Sequence, residues 1–302
     1  MFRRKFVEKC FEFLKGQNDR SHWCKWTFRE TRNRGLIERE PANQVIAAIR
    51  TPERASLFER LGVQVRTADY SRPETLSTSL RGVKRILLIS AADVSERFNL
   101  HKAVIDAAKK EGAELFVYTS LLRADSSELF LAREHKQTED YIRASGLPFV
   151  FLRNGWYLEN HTSGLASAVE QGELLGSSSG ARFASASRAD YSAAATVALT
   201  QVDSAGKTYE LAGDRSFSMA ELAKEVSTQI GRDIPYRNLS ANDYAAILLR
   251  SGVPQMTVDV IVDANTKSIQ GDLDSASRDL SQLIGRRTTT LSDAVRSALG
   301  TQ

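Results

Sequence analysis

The chain has 302 residues, of which 42% are apolar, and a formal net charge of +4 at pH 7. That length exceeds the usual single domain and the apolar share supports a sizeable core, so one large α/β domain, or a domain with a smaller lobe, is expected. No run of about 18 apolar residues occurs, which excludes a transmembrane helix, and the basic start MFRRKFVEKCFEFLKG lacks the apolar stretch and small-residue cleavage site of a signal peptide. The expected location is cytoplasmic.

The charge is unevenly spread. Residues 1–40 hold 11 Lys/Arg against 6 Asp/Glu, and the remainder holds 30 against 31. The body therefore carries no electrostatic footprint for nucleic acid. Both cysteines, Cys10 and Cys24, lie in the first segment, and two cysteines make neither a disulfide framework nor a zinc site. No metal cluster is expected.

From Asn43 onward the pattern is regular. Gln44 to Ile49 is an apolar run of the buried-strand type, and Thr51-Pro52-Glu53 opens a helix with a capping residue, a proline and an acid in order. Val63 to Val65 predicts a strand, Leu76 to Leu80 a short helix, Arg85 to Ser90 a buried strand, and Asn99 to Glu111 a helix ended by Gly112. Leu115 to Ser120 predicts a further strand, Glu134 to Ser145 a helix capped by Gly146, and Phe149 to Arg153 a strand. Strands alternating with helices at this spacing imply βαβ units: an α/β, Rossmann-type, doubly wound parallel sheet. In the C-terminal part Ser218 with Glu221 forms a capping box, Ser240 with Asp243 marks another helix start, and Gln255 to Gln270 is a candidate lid.

Such a sheet needs a first strand and a glycine-rich turn before Pro41, and residues 18–40 supply neither convincingly. The codons offer a reason. Read one base later, Trp23-Cys24 forces a glycine, Trp26-Thr27 forces a second, and Arg29-Glu30 permits a third at the same interval. Asn18-Asp19 permits a start codon. The shifted frame allows an apolar strand, a G-x-x-G-x-x-G turn and an amphipathic helix, which is a dinucleotide-binding opening. Residues 18–40 are accordingly read as an out-of-frame translation, with residues 1–17 from upstream of the true start. The expected division is an aberrant segment 1–40, a cofactor-binding core 41–185 and a mostly helical substrate lobe 186–302.

The stretches AAIRTPER (47–54), ADYSRPETL (68–76), LLISAADVSERFNLHKAVIDAAKKEG (87–112), YTSLLRADSS (118–127), REHKQTE (133–139), LRNGWYLENH (152–161), ASASRADYSAAA (184–195) and YELAGD (209–214) resemble the NmrA-like branch of the atypical short-chain dehydrogenases. The likeness is nearest to its bacterial NAD(P)H:quinone oxidoreductases of type 2. The resemblance implies a Rossmann core with a small C-terminal lobe, NADP as cofactor (NADPH preferred over NADH) and a small-molecule quinone as acceptor. It also leaves room for a homodimer.

Arg50 ends the second strand, where an arginine favours the 2′-phosphate of NADP and an acid would favour NAD. Ile89, Ser90 and Ala91 follow the central strand at its carboxyl end, where small residues let ribose and pyrophosphate approach the backbone. Thr119 and Ser120 end the next strand, near the catalytic serine of ordinary short-chain dehydrogenases. The Tyr-x-x-x-Lys pair of those enzymes is missing, because Tyr141 is followed four residues on by Ser145. His135 lies where related atypical members carry a lysine and is read as a candidate to bond the cofactor or relay a proton near neutral pH. The loop Asn154, Gly155, Trp156, Tyr157, Glu159 implies, through the resemblance, a wall for the nicotinamide, with His135, Asn154 and Tyr157 as catalytic candidates. A quinone needs only hydride and solvent protons, so the lack of a strong acid pair fits it better than an alcohol. Arg188, Asp190 and Tyr191 open a helix to which a structural role is given. The competing expectation is an NADP(H)-sensing binding protein without turnover.

Overall fold

The computed structural model describes residues 4–8 (as backbone), 36–50 and 55–300. It contains β1 (Arg4–Glu8), β2 (Val45–Ile49), β3 (Gln64–Thr67), β4 (Val83–Leu88), β5 (Leu115–Leu121), β6 (Phe149–Asn154), β7 (Leu174–Gly176), β8 (Lys207–Leu211) and β9 (Tyr236–Asn238). Seven of these form one sheet in the order β3-β2-β1-β4-β5-β6-β8. The β1–β2, β1–β4, β2–β3 and β4–β5 pairs are all parallel. The first six strands follow the doubly wound order, with its reversal of direction at β1.

Burial explains which segments became strands. Every residue of β2 and β5 is buried, as is the Ile86–Leu88 end of β4. A parallel strand covered on both faces needs this near-continuous apolar run. Helices cover the sheet. The Arg97–Lys110 helix buries Val104, Ile105 and Ala108, and its last turn holds Lys109 and Lys110, cations placed favourably at the negative end of a helix dipole. The helix read as starting at Leu76 starts earlier, at Pro73, because proline suits a first helical position. The expected cap at Thr51-Pro52-Glu53 lies outside the described residues; a helix, Ala55–Glu59, follows it.

The first strand corrects the sequence reading. It is present, built not from residues 18–40 but from Arg4–Glu8, with Phe6 opposite Ile46 and Ile86. The physical reason is the gap itself: β2 and β4 each present a row of backbone donors and acceptors toward it, and an extended segment pairing with both satisfies them. The turn after β1, and residues 18–35 of the shifted-frame reading, lie outside the described residues.

The chain divides into two compact units, one of residues 1–124, 134–153 and 192–209, the other of residues 125–133, 154–191 and 210–302. The chain passes between the two units at several points. In the second unit β7 and β9 pair in parallel, and the Met219–Ile230 helix begins with the expected Ser218–Glu221 capping box. Ser240 caps the Ala241–Arg250 helix through Asp243, also as expected. Among the described residues no helix is long and apolar enough to cross a membrane.

Candidate functional site

In the first unit the carboxyl ends of β4 and β5 form a tightly held edge. The Ser90 amide donates to Thr119 Oγ1 at 2.9 Å, joining the two strand ends. The Ala91 amide donates to His101 Nε2 at 2.8 Å, and the Ala91 carbonyl accepts from Arg97 Nε at 2.8 Å. Ile89 and Ala91 are buried, Ser90 half-buried. The candidates Ile89, Ser90, Ala91 and Thr119 therefore do lie together, and the side chains holding them include two, Arg97 and His101, that sequence reasoning missed. The signal was their four-residue spacing on a helix, which puts both on one face. Arg50, at the end of β2, is exposed.

Ser120 is placed differently from its reading. Its hydroxyl donates to Glu139 Oε1 at 2.6 Å. Glu139 has no exposed surface and is gripped by Arg153 through Nε at 2.9 Å and Nη2 at 2.8 Å. A buried two-point pair with a third donor satisfies most of the carboxylate's lone pairs, so Ser120 serves that network.

His135 is 5% exposed, and its Nδ1 lies 2.8 Å from the Tyr118 hydroxyl. Burial, then the positive charge of Arg97, then His101 hold its pKa well below the usual value. Its ring nitrogen is engaged with the Tyr118 hydroxyl inside the first unit. His101, wholly buried, is held neutral in the same way by burial and by Arg97. The Tyr118 ring lies between the two histidines, with centroids 5.3 Å from His101 and 5.9 Å from His135.

The second unit holds the loop that leaves β6. Asn154 is buried and its Oδ1 has no hydrogen-bond partner. Native proteins rarely leave a buried acceptor unused, so this atom can take a further donor. Gly155 donates its amide to the Leu211 carbonyl at 2.8 Å, and a Cβ there would meet the Tyr191 hydroxyl at 3.1 Å and the Leu211 oxygen at 3.2 Å. Trp156 and Tyr157 are half-buried. The Tyr157 ring has the Arg188 guanidinium 4.2 Å from its centroid and the Tyr191 ring at 5.3 Å, which fixes the plane of the phenol. Glu159 accepts the Arg188 amide at 2.9 and 3.1 Å, satisfying an N-terminal donor of the Arg188–Thr200 helix. Burial raises its pKa, a rise opposed by that amide. Asp190, wholly buried, receives Ser187 Oγ, the Thr289 amide and Arg286 Nη1, in line with the structural role given to it.

The carboxamide N–H donors of a nicotinamide match the unused Asn154 acceptor in chemistry. The turn that would cradle the pyrophosphate follows β1, outside the described residues, and residues 9–15 contain no glycine. Among the described residues no cluster of His, Cys, Asp and Glu could hold a metal ion.

Residues 34–202 match the NAD(P)H-binding protein family. Quinone oxidoreductase 2 of Escherichia coli (strain K12) is 42% identical over 260 residues, covering 86% of this chain and 91% of that protein. The crystal structure of the NADPH-dependent quinone oxidoreductase from Escherichia coli complexed with NADPH superposes with a TM-score of 0.88 at 40% identity, covering 90% of this chain and 96% of that one. An NmrA-like family domain-containing oxidoreductase of Aspergillus flavus is 27% identical over 274 residues, with 87% of this chain and 89% of that protein covered.

Proposed function

The chain belongs to the NAD(P)H-binding, NmrA-like family, and from that premise we propose that it reduces quinones with NADPH. The observation that carries the reading is the loop after β6: an unused buried acceptor on Asn154 beside two half-buried aromatic rings.

Reduced nicotinamide, when bound, supplies the hydride. The chain's own residues bind and orient. In the first unit Arg50 offers a bidentate charge to the adenosine ribose phosphate, while Ile89, Ser90, Ala91 and Thr119 present a held backbone edge to ribose and pyrophosphate. In the second unit Asn154 Oδ1 accepts from the carboxamide, Gly155 holds the loop against Leu211, and Trp156 and Tyr157 form a flat apolar wall. Glu159 holds that wall by capping the helix that carries Arg188. His135 acts as a neutral hydrogen-bonding group behind β5. A quinone accepting a hydride becomes a hydroquinone anion whose proton comes from water, so no side chain need hold one. The enzyme is proposed to work in the cytoplasm.

The test mixes the full chain with NADPH and either a benzoquinone or a simple ketone. One NADPH oxidised per quinone, with none oxidised by the ketone, is expected. Tight NADPH binding without oxidation would overturn the reading in favour of a sensing protein. The out-of-frame reading of residues 18–40 belongs to this proposal. Because it restores backbone amides and a helix N-terminus for the pyrophosphate, a chain encoded in the shifted frame should bind NADPH more tightly, measured by calorimetry; equal affinity contradicts it.

A further inference from the structure

Ala91 stands at the turn after β4 and both of its backbone polar groups are taken by side chains. Its amide donates to His101 Nε2 and its carbonyl accepts from Arg97 Nε, each at 2.8 Å. Residues 97 and 101 are one helical turn apart on the Arg97–Lys110 helix. Each is braced in turn from the Phe130–Ser145 helix, again by residues four apart. Arg97 Nη1 pairs with Glu134 Oε2 at 3.2 Å, and His101 Nδ1 lies 3.1 Å from Thr138 Oγ1.

The hydrogen bonds fix the chemistry of this arrangement. An amide can only donate, so His101 Nε2 carries no proton and Nδ1 carries it toward Thr138. The Thr138 hydroxyl donates a hydrogen bond to the Glu134 carbonyl at 2.9 Å. Ala91, His101 and Thr138 are buried; Glu134 Oε2 and Arg97 form a pair with side chains 20% and 6% exposed. The turn after β4 thus has two rungs reaching across two helices, and its backbone is not free to drift.

We propose that Arg97 and His101, braced by Glu134 and Thr138, are positioning residues that set the Ala91 backbone for cofactor binding. The inference rests on the reading of this turn as a cofactor contact. Neither side chain touches the reacting atoms; they act through Ala91.

Three variants of the full chain test it. His101→Leu removes the acceptor, His101→Gln returns an acceptor near the Nε2 position, and Thr138→Val removes only the brace. Two quantities are read: amide exchange of the peptide containing Ala91 in the ligand-free protein, and the NADPH dissociation constant by calorimetry. Losing an acceptor for a buried amide is expected to speed exchange and weaken NADPH about tenfold in His101→Leu, with kcat at saturating NADPH unchanged. His101→Gln should recover most of both effects, and Thr138→Val should show a smaller loss of the same kind. If His101→Leu does not fold, Thr138→Val against His101→Gln decides by the same two readings. Wild-type exchange and wild-type affinity in the variants that lack the acceptor or the brace would overturn the proposal. Fast exchange with unchanged affinity would overturn its link to the cofactor. If the unsubstituted chain binds no NADPH while exchange still responds to His101→Leu, the cofactor reading is what fails.

Discussion

Two loops at strand ends do opposite things with their polar groups. After β4 every backbone group of Ala91 is satisfied by a side chain, and those side chains are themselves braced. After β6 a buried acceptor on Asn154 is left unused and a Cβ at Gly155 would press on the Tyr191 hydroxyl and the Leu211 carbonyl. A saturated network is rigid and specifies one conformation; an unsaturated one is destabilised until something supplies the missing donor. On the proposed function the first loop serves as a platform and the second as a receptor, and each can be perturbed separately.

The largest effect is expected behind the platform. Glu139→Leu leaves Arg153 buried without its carboxylate, and removing one partner of a buried pair costs about 3–5 kcal/mol. Urea denaturation should show a loss of that order, whereas a loss below about 1 kcal/mol would mean the pair is not the anchor of β5 and β6.

Acid should come next. His101 and His135 are buried and His161 half-buried, with pKa values pushed down chiefly by desolvation, that of His161 to about 3. A depressed histidine binds fewer protons folded than unfolded. Stability is therefore fully present above about pH 6.5 and falls as the pH drops from there, by about 1.4 kcal/mol per pH unit for each such histidine. For His161 that loss continues to about pH 3. Denaturation midpoints at neutral pH and near pH 5 test it. His161→Phe should flatten part of the slope, and a slope unchanged in that variant contradicts the assignment.

In the receptor loop, Gly155→Ala puts a methyl group against the Tyr191 hydroxyl and the Leu211 carbonyl. Overpacking of this kind costs about 1–3 kcal/mol, and KM for NADPH should rise with it. Asn154→Leu makes the sharpest contrast with the platform. Removing an unsatisfied buried acceptor should leave stability unchanged or raise it by about 1 kcal/mol, while kcat/KM falls about tenfold. A variant that loses stability and keeps activity would show that Asn154 is structural.

Much of the fold was legible because parallel strands buried on both faces must be apolar throughout, as in Ile86–Leu88 and Leu115–Val117. The first strand was not. Arg4, Lys5 and Glu8 interrupt its apolar character, and only the gap between β2 and β4, a tertiary fact, selects it. Site residues divided similarly. Ile89–Ala91 and Asn154–Tyr157 were proposed because strand ends are where such folds bind ligands. His101 could not be singled out as a site residue, since its partner is a backbone amide ten positions earlier. Nor could the engagement of Ser120 by Glu139, which depends on where a helix and two strands meet.

Hydride transfer to a quinone is the step on which the proposed function rests. Single-turnover mixing of the NADPH-loaded chain with a benzoquinone tests it most directly. The account predicts that the bound reduced nicotinamide signal decays fully, with one hydroquinone formed per NADPH consumed; a bound cofactor that stays reduced in the presence of saturating quinone would contradict it.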